Sequence, residues 1–192
     1  MKTPEQMKTS EQIGAFFDLD GTLLAPPSLE WRFIGYLFER DEIRIQNVAH
    51  WVAEPAKALL NGGRRTVFAN KFYIAGIHEF IVGEWANAIT PRSTPGSLPW
   101  FVEGVDEVRR HLEFGHRVVL VTGTLAPLAR AIAGHLPRGV EVRATNLETR
   151  NGFYTGEISG AHLGFDEKAR VIRKYAAEFD LDLRQSFAYG NE

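Results

Sequence analysis

The 192-residue chain contains no cysteine. Disulfides, thiolate metal sites and a cysteine nucleophile are thereby excluded, and the composition suits a reducing compartment, so a cytoplasmic location is expected. Long apolar runs are also missing. No stretch of about 18 apolar residues occurs, and no membrane span is expected. Residues Met1 to Gln12 are polar and mixed in charge, without the apolar centre of a secretory signal. Neither sign of charge dominates: 22 Lys and Arg stand against 24 Asp and Glu, for a net charge of −2. No basic run marks a nucleic-acid footprint, and no nucleic-acid partner is expected. The six histidines are scattered without metal-ligand spacing. Gly123-Thr124-Leu125 lacks the glycine pattern of a dinucleotide loop.

What is present is an alternation of short apolar runs and amphipathic stretches. Ile13 to Phe17 reads as a buried parallel strand. From Leu29 to about Ile89 the period becomes helical, with Trp31, Ile34, Leu37 and Phe38 on one stripe. Val67, Phe68, Phe72, Ile74, Ile77, Phe80 and Ile81 mark a second, less regular stripe. Pro26-Pro27 and the stretch from Pro91 to Pro99 flank this block like two joints. Its aromatics Trp31, Phe33, Tyr36, Trp51, Phe72 and Tyr73 are expected to form a small core of their own, whereas Arg64-Arg65 suits either an anionic substrate or solvent. Beyond the block, Glu103–Phe114 reads as a helix with Val105, Val108 and Leu112 on one face, and Gly115 follows at the position after its cap. Arg117–Val121 reads as a strand ending at a Thr122-Gly123-Thr124 turn. Helices are expected from about Pro127 to Leu136 and from Asp166 to Phe179, with strands at Val140–Ala144 and Ser186–Tyr189. Asn151-Gly152 signals a type I′ hairpin. The expected fold class is α/β: a Rossmann-like parallel sheet core built from residues 1–25 and 98–192, with an inserted α-helical cap at 26–97. Ligands of such sheets bind at the carboxyl ends of the strands. Asp18, Asp20, Thr122 and Asn191 all fall there.

In Phe16-Phe17-Asp18-Leu19-Asp20-Gly21-Thr22 two carboxylates crowd the end of an apolar strand. Asp and Gly are ordinary turn residues. Two acids beside a buried strand nevertheless repel each other, and a cation or a shared proton must relieve that. A hard divalent ion such as Mg2+, held by carboxylate and carbonyl oxygens, meets the need. Aspartate can also act as a nucleophile toward phosphorus.

Asp18-Leu19-Asp20-Gly21-Thr22 resembles the first motif of the haloacid dehalogenase superfamily, and the helical block directly after it resembles the cap of the phosphoserine phosphatase-like branch, subfamily IB. The likeness runs from about Ile13 to Asn191. It implies a phosphatase that hydrolyses a small phosphate monoester through an aspartyl-phosphate, with Asp18 as nucleophile and Asp20 as acid and then base. Thr122 stands where the second motif carries a Thr or Ser, and with Gly123 it is implied to hold phosphate oxygens. The third motif is a lysine, and Lys168 and Lys174 are both candidates. Lys168 is preferred, because a cation in the first turn of a helix opposes the helix dipole unless an anion is near. Asp166 and Glu167 could supply that anion, and so could a bound phosphate. Lys174 reads as a solvated surface residue. The resemblance implies metal binding by Asp18, the Asp20 backbone carbonyl and Asn191.

The fourth motif departs from the family, which has a Gly-Asp pair with a further acid a few residues on. Here the pair is Gly190-Asn191 and the sequence stops at Glu192, so the expectation is of a core whose last acid lies further along a longer chain. A phosphotransferase or mutase using the same intermediate, and a non-catalytic phosphate-binding module, are the competing readings. Phosphoserine phosphatases carry an acid near the start of the cap. In Ala25–Glu30 the only acid is Glu30, displaced along the chain, which points away from phosphoserine and toward another small or lipid-pathway phosphate ester.

Overall fold

The computed structural model describes residues 12–49, 51, 53, 71–89 and 98–191. Among the described residues, four strands form one parallel sheet in the order β3-β2-β1-β6: β1 (Gly14–Phe17), β2 (Arg117–Leu125), β3 (Glu141–Thr145) and β6 (Phe187–Tyr189). The mixed α/β architecture is the expected class. The chain leaves β1, builds outward through β2 and β3, and returns to the other side of β1. The strand order therefore reverses beside β1, where open parallel sheets leave a crevice at the carboxyl ends.

Every residue of β1 is buried because both faces of the sheet are covered. Ala15, Phe17, Val118 and Leu120 point to one face, and Phe16, Val119 and Val121 to the other. The second face is closed by α5 (Phe165–Glu178), through Tyr175 and Ala176. The first face packs against α3 (Val102–Glu113) and α4 (Ala126–Ala133), together with α1 (Leu29–Glu39) and α2 (Phe80–Ile89).

The α1 stripe differs from the expected one. Leu29, Phe33, Ile34 and Leu37 are buried, whereas Trp31 and Phe38 are 46% and 55% exposed. Both stripes satisfy a helical period, and only the position of the sheet decides between them. Phe33, Tyr73 and Trp85 join the same apolar cluster as Phe17 and Leu120. The second expected helical stripe is helical only from Phe80. Phe72–Ile74 is one 3-10 turn, and the chain then runs beside the hairpin of β4 (Leu147–Arg150) and β5 (Phe153–Ile158). Lys71 N–H donates to the Gly156 carbonyl, Gly76 N–H to Tyr154, Tyr154 N–H to Ile77, and Glu79 N–H to Gly152. The turn of the hairpin is the expected one, with both Asn151 and Gly152 at positive φ (54° and 81°).

The proline-flanked approach at 25–27 is tied down by Arg32, whose guanidinium donates to the carbonyls of Ala25, Pro26 and Pro27. Ala25 N–H in turn donates to the carbonyl of Pro99. Arg64-Arg65, Val67, Phe68 and Pro91–Pro95 lie outside the described residues. Among the described residues, no helix is long and apolar enough to cross a membrane.

A buried histidine on α3 escaped the sequence reading. His111 is fully buried against Phe17, Phe187 and Tyr189, and its Nε2 lies 2.9 Å from the Tyr189 hydroxyl. Burial first, and then His116 and Arg110 nearby, push His111 below its ordinary 6.5. His116 and His162 are also pushed down, chiefly by burial. The unfolded chain therefore takes up protons near 6.5 that the folded chain refuses, and stability is lost as pH falls through that range. Asp20, raised by burial, acts in the opposite sense but is one group against three. Denaturant midpoints are expected to fall between about pH 7.5 and about pH 5, with a slope of at most about 1.4 kcal/mol per pH unit for each histidine. Midpoints that rise on acidification would contradict the lowered proton affinity of the three histidines.

Candidate active site

β1 ends at Phe17, and the N–H of the next residue, Asp18, donates to the Tyr189 carbonyl, so the first acid sits where β1 and β6 run out together. The chain then folds into a tight loop. Gly21, Thr22, Leu23 and Leu24 exchange hydrogen bonds with Leu19 and each other. Leu19, Leu23 and Leu24 are fully buried, which anchors the loop from below. Gly21 has φ of 79°, and a Cβ there would stand 2.7 Å from the Asn191 side-chain nitrogen. A residue larger than glycine would be strained and would push Asn191 away.

The Asp18 carboxylate has two defined neighbours. Its Oδ1 accepts from the Leu19 N–H at 2.7 Å, and its Oδ2 lies 2.7 Å from Lys168 Nζ. Of the two candidate lysines it is thus Lys168 that reaches the first acid, and Lys174 is exposed. The anion near the start of α5 is Asp18, from a strand 150 residues away in sequence. Glu167 is turned instead to Arg170.

Asp20 is held from two sides. Its Oδ1 accepts from the Leu29 N–H at 2.7 Å, at the start of α1, and its Oδ2 accepts from the Thr124 hydroxyl at 2.6 Å. Burial raises its pKa above the ordinary 3.8, the two hydrogen bonds lower it, and Asp18 and Glu30 raise it further; the net direction is up. A hydroxyl can donate to a carboxylate or accept from a carboxylic acid, so Thr124 supports either form.

Thr122 and Gly123 stand above the same cavity, but not in the expected turn. β2 stays extended through Leu125, with an irregularity in its pairing to β3 between Thr122 and Leu125. Thr122 is buried, and its hydroxyl oxygen accepts from the Thr124 N–H at 3.2 Å, which leaves the hydroxyl hydrogen to give. The cavity, of about 210 Å³, is lined by Asp18, Asp20, Thr122, Gly123, Thr124 and Lys168, together with Ser28, Glu30, Lys71 and His162. The structure thus brings together Asp18, Asp20, Lys168, Thr122 and Gly123. Asn191 lies on the far side of Asp18, where it lines an adjoining crevice with Lys168 and Gly190.

Among the described residues, no three His, Cys, Asp or Glu side chains converge as a metal cluster. The available donors are mixed. Both carboxylate oxygens of Asp20 are engaged, and among the described residues no backbone N–H is directed at its carbonyl oxygen. The Asp18 carboxylate, that carbonyl and the Asn191 amide oxygen are all hard oxygen donors with a single negative charge among them. This donor chemistry fits a hydrated divalent ion such as Mg2+ rather than a softer metal.

Sequence reasoning passed over Thr124, Lys71 and His162. Thr124 follows the Thr122-Gly123 pair and carried no signal of its own beyond a second hydroxyl at a strand end. Lys71 and His162 come from segments whose proximity only the fold creates.

The sequence pattern of the haloacid dehalogenase-like hydrolase family matches residues 15–192. Among solved structures, a protein of unknown function from Bordetella pertussis Tohama I aligns with a TM-score of 0.67 and 26% identity, over 92% of this chain and 79% of that one. A probable phosphoserine phosphatase from Vibrio cholerae aligns at 0.59 and 16% identity, over 92% of this chain and 50% of that one. A phosphoserine phosphatase solved as a phospho-aspartyl intermediate analogue aligns at 0.55 and 19%, over 93% and 77%. The chain therefore spans half the length of the Vibrio protein. At these identities the two phosphatases share the fold, and no curated protein matches the sequence. The match across nearly the whole chain, on a sheet that carries Asp18 and Asp20 at its switch point, shows that the chain belongs to the haloacid dehalogenase-like hydrolases.

Proposed function

We propose that the chain is a phosphatase that hydrolyses a small phosphate monoester through an aspartyl-phosphate on Asp18, with residues 26–97 forming a cap over the core of 1–25 and 98–192. One observation carries the reading: Asp18, at the end of the central strand, lies 2.7 Å from Lys168, while Asp20 is held two residues away by Leu29 and Thr124. A fold relative, a phosphoserine phosphatase, is known as a phospho-aspartyl intermediate analogue, which supports the reading.

Asp18 attacks phosphorus through a carboxylate oxygen, and the bond from phosphorus to the leaving oxygen breaks. Asp20, favoured as the acid by burial, delivers its proton to that oxygen. As a carboxylate it then takes a proton from water, whose oxygen attacks the phosphorus and releases inorganic phosphate and free Asp18. Lys168 offsets negative charge on Asp18 and on the transferring group, and Thr122 and Gly123 receive the phosphoryl oxygens. Asp18, the Asp20 carbonyl and Asn191 would hold Mg2+, which supplies the charge neutralisation that lets a carboxylate approach an anionic phosphoryl group.

The test is release of inorganic phosphate from an aryl phosphate in the presence of Mg2+. Chelation of divalent ions is expected to lower turnover by roughly a hundredfold or more, the scale of several kcal/mol of lost charge stabilisation. Readdition of Mg2+ restores it. Undiminished turnover in chelator would contradict the metal assignment, and absence of phosphate release under all metal conditions would contradict the phosphatase reading.

A further inference from the structure

The part of the cavity away from Asp18 contains an ion pair that phosphoryl transfer does not use. Glu30, near the start of α1, receives Lys71 Nζ on both carboxylate oxygens, at 2.6 and 2.7 Å, and the Tyr73 hydroxyl at 2.8 Å. The Lys71 side chain is 1% exposed and that of Glu30 15%. Both residues line the cavity, beside Ser28 and His162. Lys71 is fixed in turn by its backbone, whose N–H donates to Gly156 of the β5 hairpin. The pair is thus held by three separate segments and does not depend on a flexible surface side chain.

A charge at this place is satisfied before a substrate arrives. A cationic group on the leaving alcohol would have to take Glu30 from Lys71 and leave a buried ammonium without its partner. An anionic group would have to take Lys71 from Glu30 and would meet the Glu30 carboxylate at close range. A neutral hydroxylated group breaks neither contact. It finds the Ser28 hydroxyl, the third Lys71 hydrogen and the His162 ring. The Thr145 hydroxyl oxygen accepts from the Leu163 N–H, so its own hydrogen is free to go to His162 Nδ1, 3.4 Å away. The other ring nitrogen, Nε2, lies on the side of Gly123 and the cavity, where it donates or accepts according to tautomer.

Building on the phosphatase reading, we infer that the Lys71–Glu30 pair determines specificity by neutralising the leaving-group side of the cavity, so that the preferred substrates are phosphate monoesters of uncharged, hydroxyl-bearing alcohols. Substrates whose alcohol carries an ammonium alone or a carboxylate alone close to the ester are disfavoured.

The test compares kcat/KM for p-nitrophenyl phosphate, glycerol 3-phosphate, phosphoethanolamine and phosphoglycolate on the full chain. Glycerol 3-phosphate is expected to exceed phosphoethanolamine and phosphoglycolate by at least about tenfold. In Lys71→Met, which frees Glu30, the ratio of phosphoethanolamine to glycerol 3-phosphate is expected to rise by about tenfold or more. In Glu30→Gln, which frees Lys71, the ratio of phosphoglycolate to glycerol 3-phosphate rises instead. Ratios are read because Glu30 also raises the proton affinity of Asp20 and so affects absolute rates. Circular dichroism checks that each variant folds, and the wild-type ranking stands as a test if one does not. A wild-type preference for either charged alcohol, or unchanged ratios in folded variants, overturns the inference. Failure to hydrolyse p-nitrophenyl phosphate overturns the phosphatase reading itself, which separates the two.

Discussion

Replacing Asp18 by asparagine is expected to lower phosphatase turnover by at least roughly 10⁴-fold, the scale seen when one member of a group that acts as a unit is removed. Asparagine is nearly isosteric, so the Leu19 N–H can still donate to its side-chain oxygen, and the change lies at the end of β1 rather than within its buried run. What is lost is the anionic nucleophile and the partner of Lys168 at 2.7 Å. The fold should be retained, because the packing of β1 rests on Ala15, Phe16 and Phe17, all buried. Turnover of p-nitrophenyl phosphate and the far-ultraviolet circular dichroism spectrum, recorded on the same samples, check both halves. A folded variant with near-normal turnover would remove Asp18 from the role.

Asp20→Asn should show a different dependence, because its proposed contribution is a proton rather than a bond. General acid catalysis is typically worth about 10²–10⁴-fold, and its value grows with the basicity of the leaving oxygen. An alkyl phosphate such as glycerol 3-phosphate leaves as a strongly basic alkoxide unless protonated, whereas p-nitrophenolate leaves easily. The variant is therefore expected to lose roughly 10³-fold or more on the alkyl ester and clearly less on the aryl ester. Thr124 and the Leu29 N–H hold the side chain in place in either case, so the difference between the two substrates reports chemistry and not displacement. Equal losses on the two esters would argue that Asp20 only positions the loop.

The parts of this site that were legible in the sequence are those marked by residue type at the ends of strands. Asp18 and Asp20 stand out because two acids after an apolar run need an explanation. Lys168 was legible because a cation in the first turn of a helix needs an anion, although the neighbouring Asp166 and Glu167 were an equally local answer. Only the fold shows that Asp18 is the partner. Lys71 and Thr124 were not legible. Lys71 meets Glu30 across 41 residues and Thr124 meets Asp20 across 104, so their local sequence carries no trace of the contact. A lysine between an asparagine and a phenylalanine reads as surface, and it is 1% exposed.

The elements show the same division. The α3 face of Val105, Val108 and Leu112 and the Asn151-Gly152 turn follow from local rules of period and backbone conformation. The apolar pattern of residues 72–79 reads as helix, but after the turn at Phe72–Ile74 the backbone of Gly76, Ile77 and Glu79 bonds to the β4–β5 hairpin, a non-local pairing that periodicity cannot report. The helical period alone puts Trp31 and Phe38 inward on α1, yet the buried stripe is set by which side of the helix meets β2, α4 and α2. His111 was passed over for a related reason. A histidine in an amphipathic helix is ordinarily solvated, and its burial depends on Phe17 and Tyr189 closing over it.

The account stands on the claim that Asp18 takes the phosphoryl group. Acid-quenching the enzyme during turnover of p-nitrophenyl phosphate with Mg2+, followed by peptide mass spectrometry, measures this directly. The prediction is a single added phosphoryl group on the peptide that contains Asp18, labile to hydroxylamine as an acyl phosphate and absent from Asp18→Asn. Turnover with the phosphoryl group on another residue, or with no phosphorylated enzyme in a quench fast relative to turnover, would contradict it.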